Sequence, residues 1–215
     1  MGLRMSEVGE ITRETCGRYD ANASSYGEAS EDYDRFPGLR AEVVEFARLA
    51  PRPLPVLDLG CGGGRDARLL ASLGRTVIAG DYAPAMLEWA RDRSRGREEG
   101  RTLGFLRLNT LALPLRDASL AGVWASGSLL HIPSVGMERA LAEIYRVLAP
   151  AGIAAISMRI GDGEGWKKGG SLDGRRWFTF VDPDAFTNRL EAAGFTGVRI
   201  RFAGRAGWFI AVGTR

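Results

Sequence analysis

The sequence predicts an α/β protein in which helices cover a largely parallel sheet. Two observations carry that expectation. Segments of strand character alternate with segments of helical periodicity through most of the chain. The first strong strand also runs straight into a turn holding four glycines in five positions, Gly60 to Gly64 around Cys61. A chain of 215 residues that is 45% hydrophobic and 26% charged suits one globular domain with a substantial core.

The elements follow in order. Residues 11–50 predict an N-terminal helical segment laid as a cap against the body, and residues 56–59 a short apolar strand. Helical spacing runs over 65–73 and stops at Gly74, and a second strand over 76–79 ends at Gly80 and Asp81. Pro84 opens the next helix, where its missing N–H costs nothing. The charged stretch 93–101 is a surface connection; strands follow over 103–108 and 120–125, an amphipathic helix over 137–148 and a strand over 153–158. Residues 161–176 hold six glycines and little that is apolar, which predicts a long mobile loop and a lid. A helix opening at Asp182 and Pro183 and ending at Gly194 precedes two closing strands, 198–202 and 208–212.

Composition excludes several function classes. The 29 basic and 26 acidic residues leave a net charge of +3 without a basic block, so nucleic acid is not indicated. Cys16 and Cys61 lack metal-ligand spacing, and a single histidine rules out histidine-rich metal centres, so no metal is expected. Reduced thiols fit a cytoplasmic protein. No apolar run approaches the roughly 20 residues that span a bilayer, and no apolar signal opens the chain, so neither export nor membrane insertion is expected.

A strand, a glycine turn and a helix start let backbone approach a nucleotide-like ligand closely. Residues 62–67, GGGRDA, even match the dinucleotide pattern G-x-G-x-x-A. Asp58, however, would repel a pyrophosphate at the strand tip, so a ligand bearing positive charge is favoured. S-adenosyl-L-methionine has a cationic ammonium and sulfonium and no phosphate. Asp81, at the end of the second strand, stands where an acid accepts from the ribose hydroxyls of an adenosine cofactor.

In order and spacing, VLDLGCGGGRDA, GDYAPAML, LPLRDASLAGVWASGSLLHI and EIYRVLAPAG resemble the successive motifs of class I S-adenosylmethionine-dependent methyltransferases of the small-molecule type. The resemblance runs from about Tyr19 to the C-terminus. It implies a Rossmann-like, seven-stranded, mostly parallel sheet of order 3-2-1-4-5-7-6, with the last strand antiparallel and helices on both faces as a three-layer sandwich. Asp58, Gly60, Gly62 and Gly64 would line the methionine portion, with Cys61 and Met86 in the same set. Asp81 and Tyr82 would meet the ribose and adenine. Asn109, Thr110 and Leu111 would meet the adenine edge, with Asn109 standing where the family commonly has an acid, and Ser126 and Gly127 would lie near the methionine end. The stretch RYDANASSYGE resembles the helix that covers the cofactor; Tyr19 and Tyr26 are seven residues apart and share a helix face, either packing it down or reaching the cofactor near its methyl, Tyr26 as a binding and Tyr19 as a catalytic residue.

Methyl transfer from a sulfonium is an in-line displacement that needs alignment and, for some acceptors, a base, with neither metal nor covalent intermediate. His131, just past the fourth strand, is the candidate base; its alternative role is packing beside Pro133. Trp124, Trp166 and Trp177 with Arg176 are the candidate acceptor residues, against the alternative that RWFTF is a buried anchoring strand. Cys61 at a helix start has the setting that lowers a thiol pKa, its alternative role being that of a small residue that fits the loop. Arg65 either holds the cofactor carboxylate or starts the helix and points to solvent.

The expected function is methyl transfer from S-adenosyl-L-methionine to a small molecule such as a specialised metabolite, releasing S-adenosyl-L-homocysteine, by a monomer or homodimer. Two alternatives stand beside it. One is methylation of an RNA base, as in tRNA, with Lys167, Lys168, Arg175 and Arg176 on phosphates, although Asp162, Glu164 and Asp173 interrupt that cluster. The other is a cofactor-binding protein that does not transfer methyl groups, or a cyclase.

Overall fold

The computed structural model describes residues 3–96, 102–168, 172–202 and 204–215. Helices α1 (Met5–Ala21), α2 (Ala23–Glu31) and α3 (Leu39–Leu49) lead into strand β1 (Val56–Leu59). There follow α4 (Arg65–Ser72), β2 (Val77–Asp81), α5 (Pro84–Ser94), β3 (Leu103–Arg107), β4 (Leu120–Ser126), α6 (Ser134–Val147) and β5 (Leu148–Arg159). The chain closes with β6 (Glu164–Lys168), β7 (Arg175–Thr179), α7 (Pro183–Ala192), β8 (Thr196–Arg201) and β9 (Trp208–Thr214).

A seven-stranded sheet takes the order β3-β2-β1-β4-β5-β9-β8, and β6 pairs only with β7. With that hairpin set apart, the order is the expected 3-2-1-4-5-7-6. The strands from β3 to β5 run parallel and β9 is antiparallel to both neighbours. Leu57 and Leu59 on β1 face a core shared with α6 and α7, whereas Val56 faces one shared with α3 and α4. The two-residue repeat of a strand thus gives each face its own helical layer.

The chain departs from its sequence pattern at 161–176. Rather than a loop, this stretch enters the β6–β7 hairpin, in which Trp166 pairs with Trp177 and their rings meet edge to face at 5.6 Å. Glycine and charge hide a ladder whose apolar members lie on both strands. The connection 93–101 lies partly outside the described residues, as do residues 169–171 of the stretch 161–176.

The N-terminal helices reach the body through side chains that meet backbone. Asp20 accepts from the Ala85 N–H in the first turn of α5 at 2.8 Å, where the helix dipole favours an anion. Thr15 accepts from the Trp177 N–H at 3.1 Å, and Glu14 pairs with Arg175 at 2.9 Å. Where α2 crosses α5, a Cβ at Gly27 would lie 2.2 Å from the Trp89 indole nitrogen, so only glycine permits that approach.

Trp124 corrects an expectation. Its side chain points into the core at 0% exposure, packs on Phe46 and donates from its indole N–H to Asp66 at 3.0 Å. The alternation of β4 sends it into the sheet face rather than toward a ligand. Trp124→Ala is therefore expected to destabilise the fold by about 3–5 kcal/mol, read as a lowered urea midpoint with an unchanged slope. A loss below about 1 kcal/mol would contradict this account of the core.

Candidate active site

The carboxyl ends of β1, β2 and β4 open into a cavity roofed by α1 and α2, at the switch point where parallel sheets of this kind bind ligands. Its floor is Gly60, Gly62, Asp81 and Tyr82, its side Leu108 to Leu111, and its far wall Ser126 to Ser128 with His131 and Ile132; α1 contributes Thr12, Thr15, Cys16 and Tyr19, and α2 Tyr26. Gly60 has φ +76°, and a Cβ there would lie 2.3 Å from the Ser128 Cβ, so both its turn and its neighbour require glycine.

Asp81 is held by backbone. One oxygen accepts from the Gly62 N–H and the other from Ala83, each at 2.9 Å. Burial raises its pKa while those backbone donors pull it down. Each oxygen retains acceptor capacity toward the cavity. Ser128 Oγ, in the opposite wall, is buried and has no hydrogen-bond partner among the described residues. A polar ligand that accepts a donor at Ser128 and donates to Asp81 fits this cradle, as an adenosine-containing cofactor with an amino-acid tail does.

Several expected residues serve from behind the surface. Asp58 is 2% exposed, accepts from the Ala67 backbone in the first turn of α4 and does not line the cavity. Burial first, then neighbouring Asp66, push its pKa well up. The strand alternation that exposes the glycines points Asp58 to the Val56 side of the sheet. Met86 is buried beneath Gly62, and a Cβ at Gly64 would strike Ala90 on α5 at 2.9 Å. Cys61 packs against the α3/α4 core, and burial with the charge of Asp81 raises its thiol pKa well above the ordinary range, the opposite of the helix-start expectation. Asn109 lines the cavity, but its Oδ1 already accepts from the Leu111 N–H at 2.9 Å.

Beyond Ser126 and Gly127 lies a wider cavity of about 740 Å³. Tyr19, Tyr26, Ser126, Gly127 and His131 line both spaces and form the junction between them. His131 is tied at both ring nitrogens: Nδ1 lies 2.6 Å from the Trp177 carbonyl and Nε2 lies 2.7 Å from the Tyr19 hydroxyl. A carbonyl can only accept, so Nδ1 carries the proton and Nε2 accepts from Tyr19. Burial lowers the His131 pKa to about 4, which keeps the ring neutral. Arg176 donates to the same Tyr19 oxygen at 3.0 Å. Burial pushes the Tyr19 pKa upward, so the phenol stays protonated.

The hairpin sorts the remaining expectations by strand alternation. Arg176 and Phe178 face the wide cavity with Phe180, whereas Trp177 lies on the other face and donates to Thr179 at 3.2 Å. Trp166 packs on Trp177 and carries the Arg175 guanidinium 4.6 Å above its ring. Neither tryptophan lines the cavity. Arg175 and Arg176 therefore point apart and make no common phosphate-binding surface. Arg65 does not face solvent: it pairs with Asp66 at 2.9 Å and stacks on Tyr33 and Phe36. Thr12, Thr15, Cys16 and Ser128 were missed because nothing in their local pattern marks them; only the return of α1 across the sheet brings the first three to the cavity.

A family model described as a methyltransferase domain matches residues 57–156. A ubiquinone/menaquinone biosynthesis C-methyltransferase of Methylobacterium nodulans is 33% identical over 192 residues, covering 74% of this chain and 75% of that one. A malonyl-[acyl-carrier protein] O-methyltransferase of Pectobacterium atrosepticum is 32% identical over 140 residues, covering 64% of this chain and 52% of the other. The chain spans about half the length of several curated relatives it matches. Among solved structures, a Burkholderia thailandensis 1,6-didemethyltoxoflavin-N1-methyltransferase with bound 1,6-didemethyltoxoflavin and S-adenosylhomocysteine shares the fold at TM-score 0.73 and 22% identity, covering 100% of this chain and 93% of that one. With this fold and these relatives, the chain belongs to the class I S-adenosylmethionine-dependent methyltransferase family. No helix among the described residues is long and apolar enough to cross a membrane.

His131 is the chain's one histidine, so its nuclear magnetic resonance titration needs no assignment. The expected midpoint is about 4 rather than the ordinary 6.5, with the proton on Nδ1 above it. Because the folded pKa is depressed, the unfolded chain binds the extra proton first. The ring's contribution to stability is present above pH 6.5 and is lost as pH falls toward 4. A midpoint at or above 6.5 would contradict the buried, doubly tied ring.

Proposed function

We propose that the protein transfers a methyl group from S-adenosyl-L-methionine to a small-molecule acceptor. The observation that carries this reading is the junction. A narrow, glycine-floored cavity with a ribose-type acid meets a wide aromatic cavity at Tyr19, Tyr26, Ser126, Gly127 and His131. Asp81 would hold the ribose, Ser128 and the Gly60–Gly62 turn the amino-acid tail, and the Asn109–Leu111 turn the adenine edge. When bound, the cofactor supplies a methyl on a sulfonium, whose sulfur keeps the bonding pair as the methyl leaves.

The chain's own residues do the rest. Tyr19 and Tyr26 close the junction with rings 5.0 Å apart, edge to face, and exclude water from it. The Tyr19 hydroxyl donates to His131 Nε2, which leaves its oxygen to accept from an acceptor hydroxyl or amine at the junction and orient it. Burial and the neighbouring Arg176 hold the His131 pKa at about 4, so the neutral ring fixed by the Trp177 carbonyl positions Tyr19 rather than storing the acceptor's proton. Arg176 donates to the same Tyr19 oxygen and fixes it further. Tyr19 contacts the acceptor in this scheme, and His131 is the positioning residue behind it.

Asp81→Ala is expected to weaken S-adenosyl-L-homocysteine binding by more than tenfold, by calorimetry, because buried hydroxyl partners lose charge-assisted acceptors worth about 1.5–3 kcal/mol. Unchanged affinity would contradict the assignment of this cavity to the cofactor.

A further inference from the structure

The wide cavity has an electrostatic character that the methyltransferase reading does not require. Arg35, Arg65, Arg159, Lys167, Lys168, Arg176 and Arg205 line it, and no aspartate or glutamate does among the described residues. With His131 neutral, the charge on the wall is entirely positive. Arg65 and Arg205 are offset from behind by Asp66 at 2.9 Å and Glu42 at 3.0 Å. Arg159 and Lys167 have no carboxylate within ion-pair distance among the described residues.

Arg159 is the centre of this set. It stands at the carboxyl end of β5, paired in register with Trp208 on β9. Its guanidinium lies 5.4 Å from the Trp208 ring centre and 5.9 Å from that of Phe180. No acceptor among the described residues reaches its buried Nε. The Arg205 guanidinium lies 5.0 Å from the Trp208 ring centre, and Lys167 Nζ lies 6.0 Å from that of Phe180. Aromatic stacking thus gathers three cations at one place with a single carboxylate behind them, and partial desolvation strengthens their hold on any anion that enters.

The same rings lead to the junction. A Cβ on Gly127 would lie 3.5 Å from Trp208, so that indole wall abuts the place where the cavities meet. Phe178 and Phe180 stack at 6.2 Å with only 23° between their planes, a pair of parallel faces beside the cations.

We propose that the acceptor is an anion with a flat apolar body: a carboxylate or phosphate held by Arg159 with Lys167 and Arg205, and an aromatic frame laid against Trp208, Phe178 and Phe180 with its nucleophile at Tyr19. This rests on the methyltransferase reading of the site and specifies its substrate class. A carboxylate or phosphate takes two parallel N–H donors from one guanidinium, which a neutral polar group of the same shape does not match.

The test is calorimetry on protein saturated with S-adenosyl-L-homocysteine. The probes are 2-naphthoate and 2-naphthyl phosphate, the neutral isostere 2-naphthamide, and the cation 2-naphthylmethylamine. At least one anion is expected to bind about tenfold or more tightly than the amide, the gain of a charge-assisted pair. The tighter of the two tells carboxylate from phosphate. Arg159→Gln should bring the preference to within about twofold while S-adenosyl-L-homocysteine affinity stays the same, Arg159→Lys should restore part of it, and Lys167→Gln at an exposed site should weaken the anion by about threefold. Amide or amine binding as tightly as the anions, no binding of any probe, or a preference that survives Arg159→Gln would overturn the proposal. Failure of wild-type protein to bind S-adenosyl-L-homocysteine is a separate outcome: it removes the cofactor reading and, with it, this inference. Cofactor binding without an anion preference removes the inference alone.

Discussion

His131 joins three segments that the chain separates widely. One nitrogen meets the Tyr19 hydroxyl, 112 residues away, and the other meets the Trp177 carbonyl, 46 residues away. The helical roof, the turn after β4 and the hairpin are thereby tied through one imidazole. Because the carbonyl dictates the tautomer, the ring has one way to satisfy both partners. The roof over the narrow cavity and the wall of the wide one consequently share a support, and a change in either reaches the junction. Thr15, which takes the Trp177 N–H, reinforces the same meeting of α1 and β7.

The cations follow a division of labour set by burial. On α4, Arg68 grips Glu31 of α2 with one terminal nitrogen, 2.6 Å from each carboxylate oxygen, and gives its other to the Gly63 carbonyl at 2.9 Å. Arg146 on α6 gathers Glu143 and Asp117 with the carbonyls of Leu113 and Leu115. These arginines are consumed by structure. Arg159 and Lys167, by contrast, stand against aromatic rings in the wide cavity, with no carboxylate at ion-pair distance among the described residues. A net charge of +3 conceals this uneven distribution.

Much of the fold was legible because its signals are local. Pro84 at the start of α5, the glycines after β1 and the alternation of strand and helix each act within a few residues, and the order of the sheet followed from the motif series. The hairpin was legible only in part: RWFTF reads as a buried anchoring strand, which β7 is, but glycines and lysines masked its partner β6 and the ladder that pairs Trp166 with Trp177. The site divided in the same way. Asp81, Gly60, Gly62, Ser126 and Gly127 line one cavity, since strand ends point to it. Asp58 and Trp124 do not. Each is the strand residue whose side chain turns to the α3/α4 side, a matter of register that a motif does not encode. Thr15, Ser128 and the stacked Arg159 depend on contacts between distant segments, for which a single sequence offers no pattern.

The most direct test of this account is a crystal structure with S-adenosyl-L-homocysteine bound. The expected result has the ribose hydroxyls on Asp81 and the sulfur at the junction, facing the wide cavity between Tyr19 and Gly127. A sulfur enclosed away from that opening, or an adenosine lying against Trp208 and Phe180, would contradict the claim that the two cavities serve donor and acceptor.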